Sequence, residues 1–278
     1  MTLLDIFNEC INNAQKIALA NGVTSEGYYK NGVLYCSKCN TPKESNIKIF
    51  DIIKKVPCAC LCEYEKYTSE KKSHEIKEKI HELKRNGIAD PIFCKWTFDI
   101  DDGKTPAIRY AHKYANNWEE MLKQNIGLLL SGPPGVGKTF ITSCIGNAII
   151  LKLYPVLMTS FPRLLNELIN IKEEKNLFYN RLNKFSLLII DDFGIERQSD
   201  FVTESIFQII DNRYKMNLPL IISTNIPINE IKTIPDIKQR RIYDRILEMC
   251  IPIEVKGPNR RQNIASKKMD NIRNFFLS

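Results

Sequence analysis

Short apolar runs alternate with longer stretches of helical spacing over the C-terminal two thirds of the chain. Polar or turn residues bound five of these runs, which we therefore expect to be strands: residues 126–130, 156–159, 187–190, 218–222 and 251–255. Strands that alternate with helices are typical of βαβ units, whose helices cover both faces of a parallel sheet. The pattern predicts an α/β domain over residues 91–278.

The first 90 residues show a different pattern and are expected to form a small domain. Asn21-Gly22 ends a predicted first helix, whose apolar positions recur at helical spacing: Leu4, Phe7, Ile11, Ala14 and Ala18. Residues 63–85 are rich in Lys and Glu with a narrow apolar stripe, which predicts a solvated connecting helix. We place the boundary between the domains, 1–90 and 91–278, near Asp90.

Composition and charge narrow the class of protein. The 278 residues are 44% hydrophobic and 26% charged, which excludes a fibrous or largely disordered chain. No apolar run reaches the roughly 18 residues of a membrane span, and residues 1–20 lack the features of a signal peptide, so we expect a cytoplasmic protein.

Net charge is +8, and residues 231–278 carry eleven basic and five acidic side chains. This basic tail is a candidate contact for nucleic acid or nucleotide phosphates, although a merely soluble surface is the alternative.

A glycine-rich segment between a predicted strand and a predicted helix fits the phosphate-loop pattern G-x-x-x-x-G-K-[ST]: Gly132, Pro133, Pro134, Gly135, Val136, Gly137, Lys138 and Thr139. The glycines let backbone N–H groups face the phosphates, and the helix adds the positive end of its dipole. We expect Lys138 to neutralise the β- and γ-phosphates of ATP and the Thr139 hydroxyl to bind Mg²⁺. Phe140 completes the predicted nucleotide contacts.

Polar residues end two later strands. Asp191 follows an apolar run, and we expect it to hold Mg²⁺ through water beside the phosphate loop. Asp192 then points toward the γ-phosphate side and is expected to orient the attacking water. The amide of Asn225, after the next strand, is predicted to hold the same water. A carboxylate pair that only caps a turn is the structural alternative.

Arginines beyond the predicted sheet are candidates for acting at the ATP site of a neighbouring molecule. A guanidinium on such a helix can supply charge to a neighbour's γ-phosphate in the transition state. We favour Arg245, because the apolar residues that follow it would anchor it against the domain edge, and Arg241 is the alternative.

Five of the nine cysteines lie within residues 36–62. Cys36 and Cys39 form a C-x-x-C pair, and Cys58, Cys60 and Cys62 follow. Two thiol pairs separated by a short loop match the tetrahedral ligand set of structural Zn²⁺. In an extended segment the three later thiols would face one side, so we choose Cys60 and Cys62 as ligands, with Cys58 as the alternative. Unbound thiols are the remaining alternative, but the stretch has little apolar content with which to fold unaided.

Four segments match one known family in combination: residues 128–140, 189–196, 209–214 and 222–225. Together they resemble the DnaC/DnaI-type replicative helicase loaders, a branch of the AAA+ ATPases, and in particular the phage and low-GC Gram-positive type with an N-terminal cysteine cluster. The resemblance implies an ATPase, slow and stimulated by single-stranded DNA or a partner, which assembles as a homo-oligomer with ATP. It implies that this oligomer loads a replicative ring helicase onto single-stranded DNA, and that residues 1–90 dock the helicase.

The resemblance also implies roles for individual residues. Asp191, Asp192, Asn225 and an Arg at or near Arg245 would act as argued above. Either Arg260 or Arg261 would sense the nucleotide from a short basic C-terminal lid, with a phosphate-backbone contact or no role as alternatives. The segment near the adenine would carry an aromatic group, for which core packing is the alternative: Phe93, Trp96 and Phe98, with Tyr110 and Tyr114 downstream.

Two other functions fit parts of the sequence. A transposition helper ATPase of the IstB type has a similar core, but the N-terminal cysteine unit argues against it. A zinc-dependent DNA-binding adaptor with a structural nucleotide site is the second alternative.

Overall fold

The computed structural model describes residues 27–49, 52–101, 103, 105–171, 175–194 and 199–277. The predicted first helix lies outside these residues. The chain divides into two compact units, Met1–Glu78 and Lys79–Ser278. The domain boundary near Asp90 stays a prediction.

Two antiparallel hairpins open the first unit: β1 (Gly27–Lys30) with β2 (Val33–Cys36), and β3 (Glu44–Ile49) with β4 (Ile52–Pro57). Asn31 and Gly32 join the first pair with φ values of 52° and 75°. A two-residue hairpin turn with this left-handed backbone matches the twist of its strands. The N–H of Lys43 donates to the carbonyl of Leu34 at 2.7 Å, which connects the approach to β3 with β2.

A long helix, α1 (Leu61–Gly87), follows the hairpins and extends beyond the predicted residues 63–85. The expectation of a wholly solvated connector was wrong for its last turns. Ile80 and Leu83 pack against a buried core cluster. Gly87 lies so close to the next strand that a Cβ there would be 1.9 Å from the carbonyl oxygen of Val156. The apolar positions Ile80 and Leu83 therefore mark the part of α1 that packs against the core.

The second unit contains one five-stranded sheet with helices on both sides. Two 3₁₀ turns (Phe93–Lys95 and Phe98–Ile100) precede its remaining elements, which are α2 (Ala107–Asn116), α3 (Trp118–Lys123), β5 (Gly127–Ser131), α4 (Lys138–Leu151), β6 (Val156–Thr159), α5 (Phe161–Asn170), α6 (Lys175–Leu182), β7 (Leu187–Phe193), α7 (Asp200–Lys215), β8 (Leu220–Thr224), α8 (Ile228–Ile231), α9 (Ile237–Met249), β9 (Cys250–Glu254) and α10 (Arg260–Leu277). The strands lie in the order β6-β7-β8-β5-β9, and all neighbours are parallel. The predicted α/β fold is confirmed.

Apolar side chains cover both faces of this sheet, which explains why its strands are nearly continuous Leu and Ile runs. Strands β5 and β8 are buried along their whole length. One core cluster includes residues of α2 and α4, and the other includes residues of α5, α7 and α9. Among the described residues, no helix is long and apolar enough to cross a membrane.

Strands β7 and β8 extend past the ends of their apolar runs, to Phe193 and Thr224. These two residues pair with each other after a shift in register. Asp192, within this irregularity, has a φ of 55°. Hydrophobicity marks only the buried part of a strand, whereas backbone pairing continues through the polar residues at its end.

Arg213 of α7 is a buried cation, with 1% of its surface exposed. Its guanidinium donates to four carbonyl oxygens, at 2.8 Å to Phe185 and Pro219 and at 3.3 Å to Leu182 and Ser186. Burial lowers its pKa to about 9, so the side chain stays charged at neutral pH. Phe185 and Ser186 come just before β7, Pro219 comes just before β8, and Leu182 ends α6, so Arg213 fixes the starts of both strands.

We expect Arg213→Met to lower the free energy of unfolding by about 3 kcal/mol, because four buried or partly buried carbonyl oxygens lose their donor. Denaturant titration measures the change. Arg109→Met, at an exposed position of α2, is the matched control and should change stability by less than about 0.5 kcal/mol. Equal stability of the two variants would contradict this role of Arg213.

Candidate functional site

The predicted phosphate loop connects the end of β5 to the start of α4. Gly135 and Gly137 have φ values of 85° and 103°, a backbone that glycine adopts without strain. The N–H of Gly132 donates to the carbonyl of Thr224 at 3.2 Å, so the loop starts against the end of β8. The loop therefore lies at the carboxyl edge of the sheet, where parallel α/β folds bind ligands.

Lys138 points back into this loop. Its ammonium donates to the carbonyl oxygens of Gly132 (2.7 Å) and Pro133 (3.0 Å) and to Oδ1 of Asn225 (2.7 Å). Burial lowers the pKa of Lys138, an effect that the carboxylates of Asp192 and Asp191 partly offset. The structure thus brings the predicted phosphate-binding cation and the predicted water-holding amide into direct contact.

The carboxylate of Asp191 connects three elements. Thr139 Oγ1, in α4, donates to Asp191 Oδ2 at 2.8 Å, and Ser223 Oγ, in β8, donates to Asp191 Oδ1. Burial raises the pKa of Asp191, and the two hydroxyl donors counteract that rise. A threonine hydroxyl beside a carboxylate is a donor set of the all-oxygen kind that Mg²⁺ prefers. The residues present therefore fit the predicted metal.

Asp192 is fixed through its backbone. Its N–H donates to Ser223 Oγ at 2.9 Å. The charge of its carboxylate raises the pKa of Lys138, which indicates that the two groups interact across the site. The predicted pair of carboxylates and the predicted amide of Asn225 thus converge on the phosphate loop.

The start of α10 and the residue before it, Asn259, lie against the phosphate loop. The N–H of Arg260 donates to the carbonyl of Gly135 at 2.9 Å, and its guanidinium donates to Thr105 Oγ1 at 3.0 Å. A Cβ on Gly135 would lie 2.2 Å from Oδ1 of Asn259, so only glycine leaves room there. Arg261 is exposed, and its charge contributes to the lowered pKa of Lys138. A nucleotide-sensing role for Arg260 or Arg261 stays a prediction.

Arg245 is held within its own chain. It forms an ion pair with Asp211, which is 8% exposed, and lies over the rings of Phe207 and Tyr214 at 4.9 and 5.2 Å. Arg241 also lies over Phe207, at 4.9 Å, but its side chain is exposed. Both arginines are on α9, and the choice between them as a residue acting in trans stays a prediction.

The predicted aromatic group separates into different environments. Phe93, Trp96 and Phe140 form a chain of ring contacts, with centroids 4.9 and 5.8 Å apart. Tyr114 lies instead in the core, where its hydroxyl donates to the carbonyl of Ile126 at 2.7 Å. Tyr110 is 63% exposed. Phe98 contacts His112. Trp96, with Phe93 beside it, thus reaches Phe140 at the end of the phosphate loop.

A cysteine cluster forms in the first unit. Four Sγ atoms lie within 4.8 Å of one another: Cys36, Cys39, Cys60 and Cys62. Cys58 is not among them, and its thiol faces the carbonyl of Pro42 at 3.5 Å. The assumption of an extended segment at 58–62 was wrong, because α1 begins at Leu61 and its first turn carries Cys62. The four residues chosen from the spacing are nevertheless the four that the fold brings together.

Hydrogen bonds favour the thiolate form of part of this cluster. Backbone N–H groups of Cys39 and Lys38 lower the pKa of Cys36, and the Thr41 hydroxyl lowers that of Cys39 to about 5. Burial raises the pKa of Cys60. Because metal-bound cysteines are thiolates, the cluster fits Zn²⁺ by the number and type of its ligands.

Sequence reasoning assigned no role to two residues that support these sites. Ser223 is fully buried and bridges Asp191 to the backbone of Asp192. Lys43 is 2% exposed and pairs with Glu63 at 3.0 Å beside the cysteines. Ser223 could have been identified from its position near the end of β8, the strand that pairs with β7. Lys43 offers no comparable pattern, because nothing in its spacing indicates burial.

Comparison with known proteins gives one matching family and several relatives. The model of the family described as IstB-like ATP binding protein matches residues 114–268. The replicative helicase loader DnaI of Bacillus subtilis is 30% identical over 147 residues, which are 49% of this chain and 47% of that protein. An insertion sequence ATP-binding protein of Sinorhizobium fredii is 28% identical over 165 residues, 56% of this chain and 54% of that one. The chain thus spans about half the length of these two relatives.

A solved structure shares the fold. A crystal structure of DnaI superposes with a TM-score of 0.53 and 26% identity, over 62% of this chain and 93% of that chain. The similarity therefore extends from the sequence motifs to the arrangement of the elements.

We expect Ser223→Ala to lower the free energy of unfolding by about 1–3 kcal/mol, because the Asp192 N–H and one Asp191 oxygen lose a buried partner. Urea titration of both proteins measures it. Ser45→Ala, at an exposed position of β3, is the control and should change stability by less than about 0.5 kcal/mol. If the two substitutions have the same effect, Ser223 does not fix the carboxylates.

Proposed function

The chain belongs to the family of IstB-like ATP-binding proteins, and from this premise we propose that it is an ATPase that loads a replicative ring helicase onto single-stranded DNA. In this proposal the chain acts in the cytoplasm and forms a homo-oligomer with ATP. The observation that carries it is the convergence of Lys138, Thr139, Asp191 and Asn225 at one edge of the sheet. The similarity to the named helicase loader DnaI supports the choice of partner.

Each residue of the site has a defined task in the proposed reaction. Backbone N–H groups of the loop, from Gly132 to Phe140, and the Lys138 ammonium would hold the phosphates of ATP. Thr139 and Asp191 would hold Mg²⁺, which supplies charge stabilisation for phosphoryl transfer when bound. Asp192 and Asn225 would orient the attacking water. Because Asp is one methylene shorter than Glu, we expect slow turnover.

The proposed stimulation would come from positive charge that a neighbouring subunit adds at the γ-phosphate. An exposed guanidinium of α9 in a neighbouring subunit is the proposed source, and Arg241 and Arg245 are the two candidates. The ion pair with Asp211 holds the Arg245 side chain against its own subunit, whereas the Arg241 side chain is exposed.

The cysteine cluster supports a helicase loader over an insertion sequence helper. The proposed role of the first unit is a Zn²⁺-dependent module that docks the helicase, with Cys36, Cys39, Cys60 and Cys62 as ligands. Similarity to an insertion sequence ATP-binding protein keeps the transposition helper as the second candidate.

Lys138→Ala should reduce ATP affinity by at least about tenfold, because it removes a cation that contacts the phosphates and a charge-assisted hydrogen bond contributes about 1.5–3 kcal/mol. Calorimetric titration with ATP measures it, and Lys123→Ala on the surface of α3 is the control. Asp192→Asn should keep the affinity and slow hydrolysis. Parental affinity and turnover in Lys138→Ala would refute the nucleotide site.

The helicase assignment predicts a complex that depends on nucleotide. We expect the chain to co-elute with the replicative helicase of the same genome in the presence of ATP, and less in the presence of ADP. Lys138→Ala should abolish the difference between the two nucleotides. Failure to bind the helicase with either nucleotide, together with binding to a transposase, would favour the insertion sequence helper.

The zinc assignment predicts about one Zn²⁺ per chain in protein purified without chelators. The double variant Cys36→Ser/Cys39→Ser should lose the metal and the helicase complex, since the energy of metal binding stabilises the fold of the unit. Cys58→Ser should keep both. Elemental analysis and co-elution measure the two effects, and protein without zinc would refute the metal site.

A further inference from the structure

A buried ion pair lies beside the cysteine cluster of the first unit. The Lys43 ammonium is 3.0 Å from Oε1 of Glu63, and the two side chains are 2% and 19% exposed. Removal of an ammonium from water is costly unless nearby groups compensate its charge. A lysine at this position therefore indicates negative charge around it.

Glu63 connects the ion pair to one of the four clustered cysteines. Its Oε2 accepts the N–H of Cys60 at 3.2 Å, while its Oε1 faces Lys43. Glu63 lies in the first turn of α1, which also carries Cys62. The carboxylate thus holds the ammonium next to the segment that supplies two of the four thiols.

The backbone of Lys43 is fixed from both sides. Its N–H donates to the carbonyl of Leu34 in β2 at 2.7 Å, and its carbonyl accepts the N–H of Cys58 at 2.7 Å. Strand β2 ends at Cys36, and Cys58 leads into the segment of Cys60. Lys43 therefore joins the two parts of the chain that carry the cysteines.

The charges of this region explain why a cation is needed. Four thiolates carry more negative charge than one Zn²⁺ neutralises. Burial alone would lower the pKa of Lys43, but the Glu63 carboxylate and the thiolates of Cys60 and Cys36 raise it above its ordinary value. The negative groups of the cluster thus act on this ammonium. Because the Glu63 carboxylate itself repels the thiolates, Lys43 also opposes that repulsion.

We propose that Lys43 is a positioning residue of the zinc site, which compensates the negative charge of the four thiolates, and that Glu63 holds it in place. Groups that surround the ligands of a metal commonly change its affinity by about 10–100-fold. The proposal rests on the proposed zinc site and goes beyond it, because it assigns a role to residues that are not ligands.

An ion pair that only stabilised the fold would respond differently to substitution. Removal of either partner would leave a buried charge unpaired, so both single variants would lose stability and bind zinc more weakly. Charge compensation instead predicts effects of different kinds. Loss of the Lys43 cation should weaken zinc binding, whereas loss of the Glu63 charge should not.

Competition of the full chain with a chromophoric zinc chelator measures the affinity. Lys43→Met removes the charge but keeps an unbranched side chain, and should weaken zinc binding by at least about tenfold. Glu63→Gln keeps an acceptor for the Cys60 N–H and should bind zinc at least as tightly as the parent. Lys66→Met is the matched control, because Lys66 forms an exposed ion pair with Glu70 on α1. It should bind zinc as the parent does.

Two further variants separate charge from packing. Lys43→Arg keeps the cation and should recover most of the affinity that Lys43→Met loses. Lys43→Met/Glu63→Gln should lie between the two single variants, because the repulsion of the carboxylate is removed together with the cation. Circular dichroism at saturating zinc establishes which variants are folded.

Parental affinity in Lys43→Met, or equal losses in Lys43→Met and Glu63→Gln, would overturn the role of Lys43 and leave the zinc site intact. If Lys43→Met does not fold, Glu63→Gln decides: weaker zinc binding than in the parent overturns the proposal, and equal or tighter binding supports it. A parent chain that holds no zinc would refute the zinc site of the proposed function, and this role with it.

Discussion

The partly buried carboxylate of Asp191 makes the hydrogen bonds on which the geometry of the second unit's site depends. An ionised group that is removed from water must find donors, and Asp191 finds them in Thr139 and Ser223. These three residues lie on β7, α4 and β8, so one carboxylate fixes the phosphate loop's helix and the next strand together. The strand order β7-β8-β5 makes this possible because it brings the three carboxyl ends side by side.

A buried cation, Arg213, acts at the opposite end of the same strands. Among the described residues it forms no ion pair with a carboxylate, and it donates instead to carbonyls that precede β7 and β8. Hydrophobic burial is non-directional and sets no register by itself. The apolar strands therefore supply the driving force for folding, while Asp191 and Arg213 fix where β7 and β8 begin and end.

The features that the sequence predicted are those encoded by neighbouring residues. Residues 132–139 carry the phosphate loop within one short segment, and the apolar runs give the strands to within a few residues. Pairings across the chain were not readable: Ser223 with Asp191, and Arg245 with Asp211, join residues more than 30 positions apart. The cysteines and the residues that meet Lys138 and Thr139 are the exceptions, because metal ligation and phosphate binding require these residue types together.

The contacts of Lys138 connect the phosphate loop to the rest of the sheet edge. Its ammonium is bound by Asn225 and by two loop carbonyls, so phosphate oxygens would compete with partners that are already in place. Release of the Asn225 amide would free it to orient water in the proposed reaction. Asn225 lies directly after β8, whose Ser223 holds Asp191 and Asp192. In the proposed reaction, nucleotide binding and water positioning would therefore be coupled through β8.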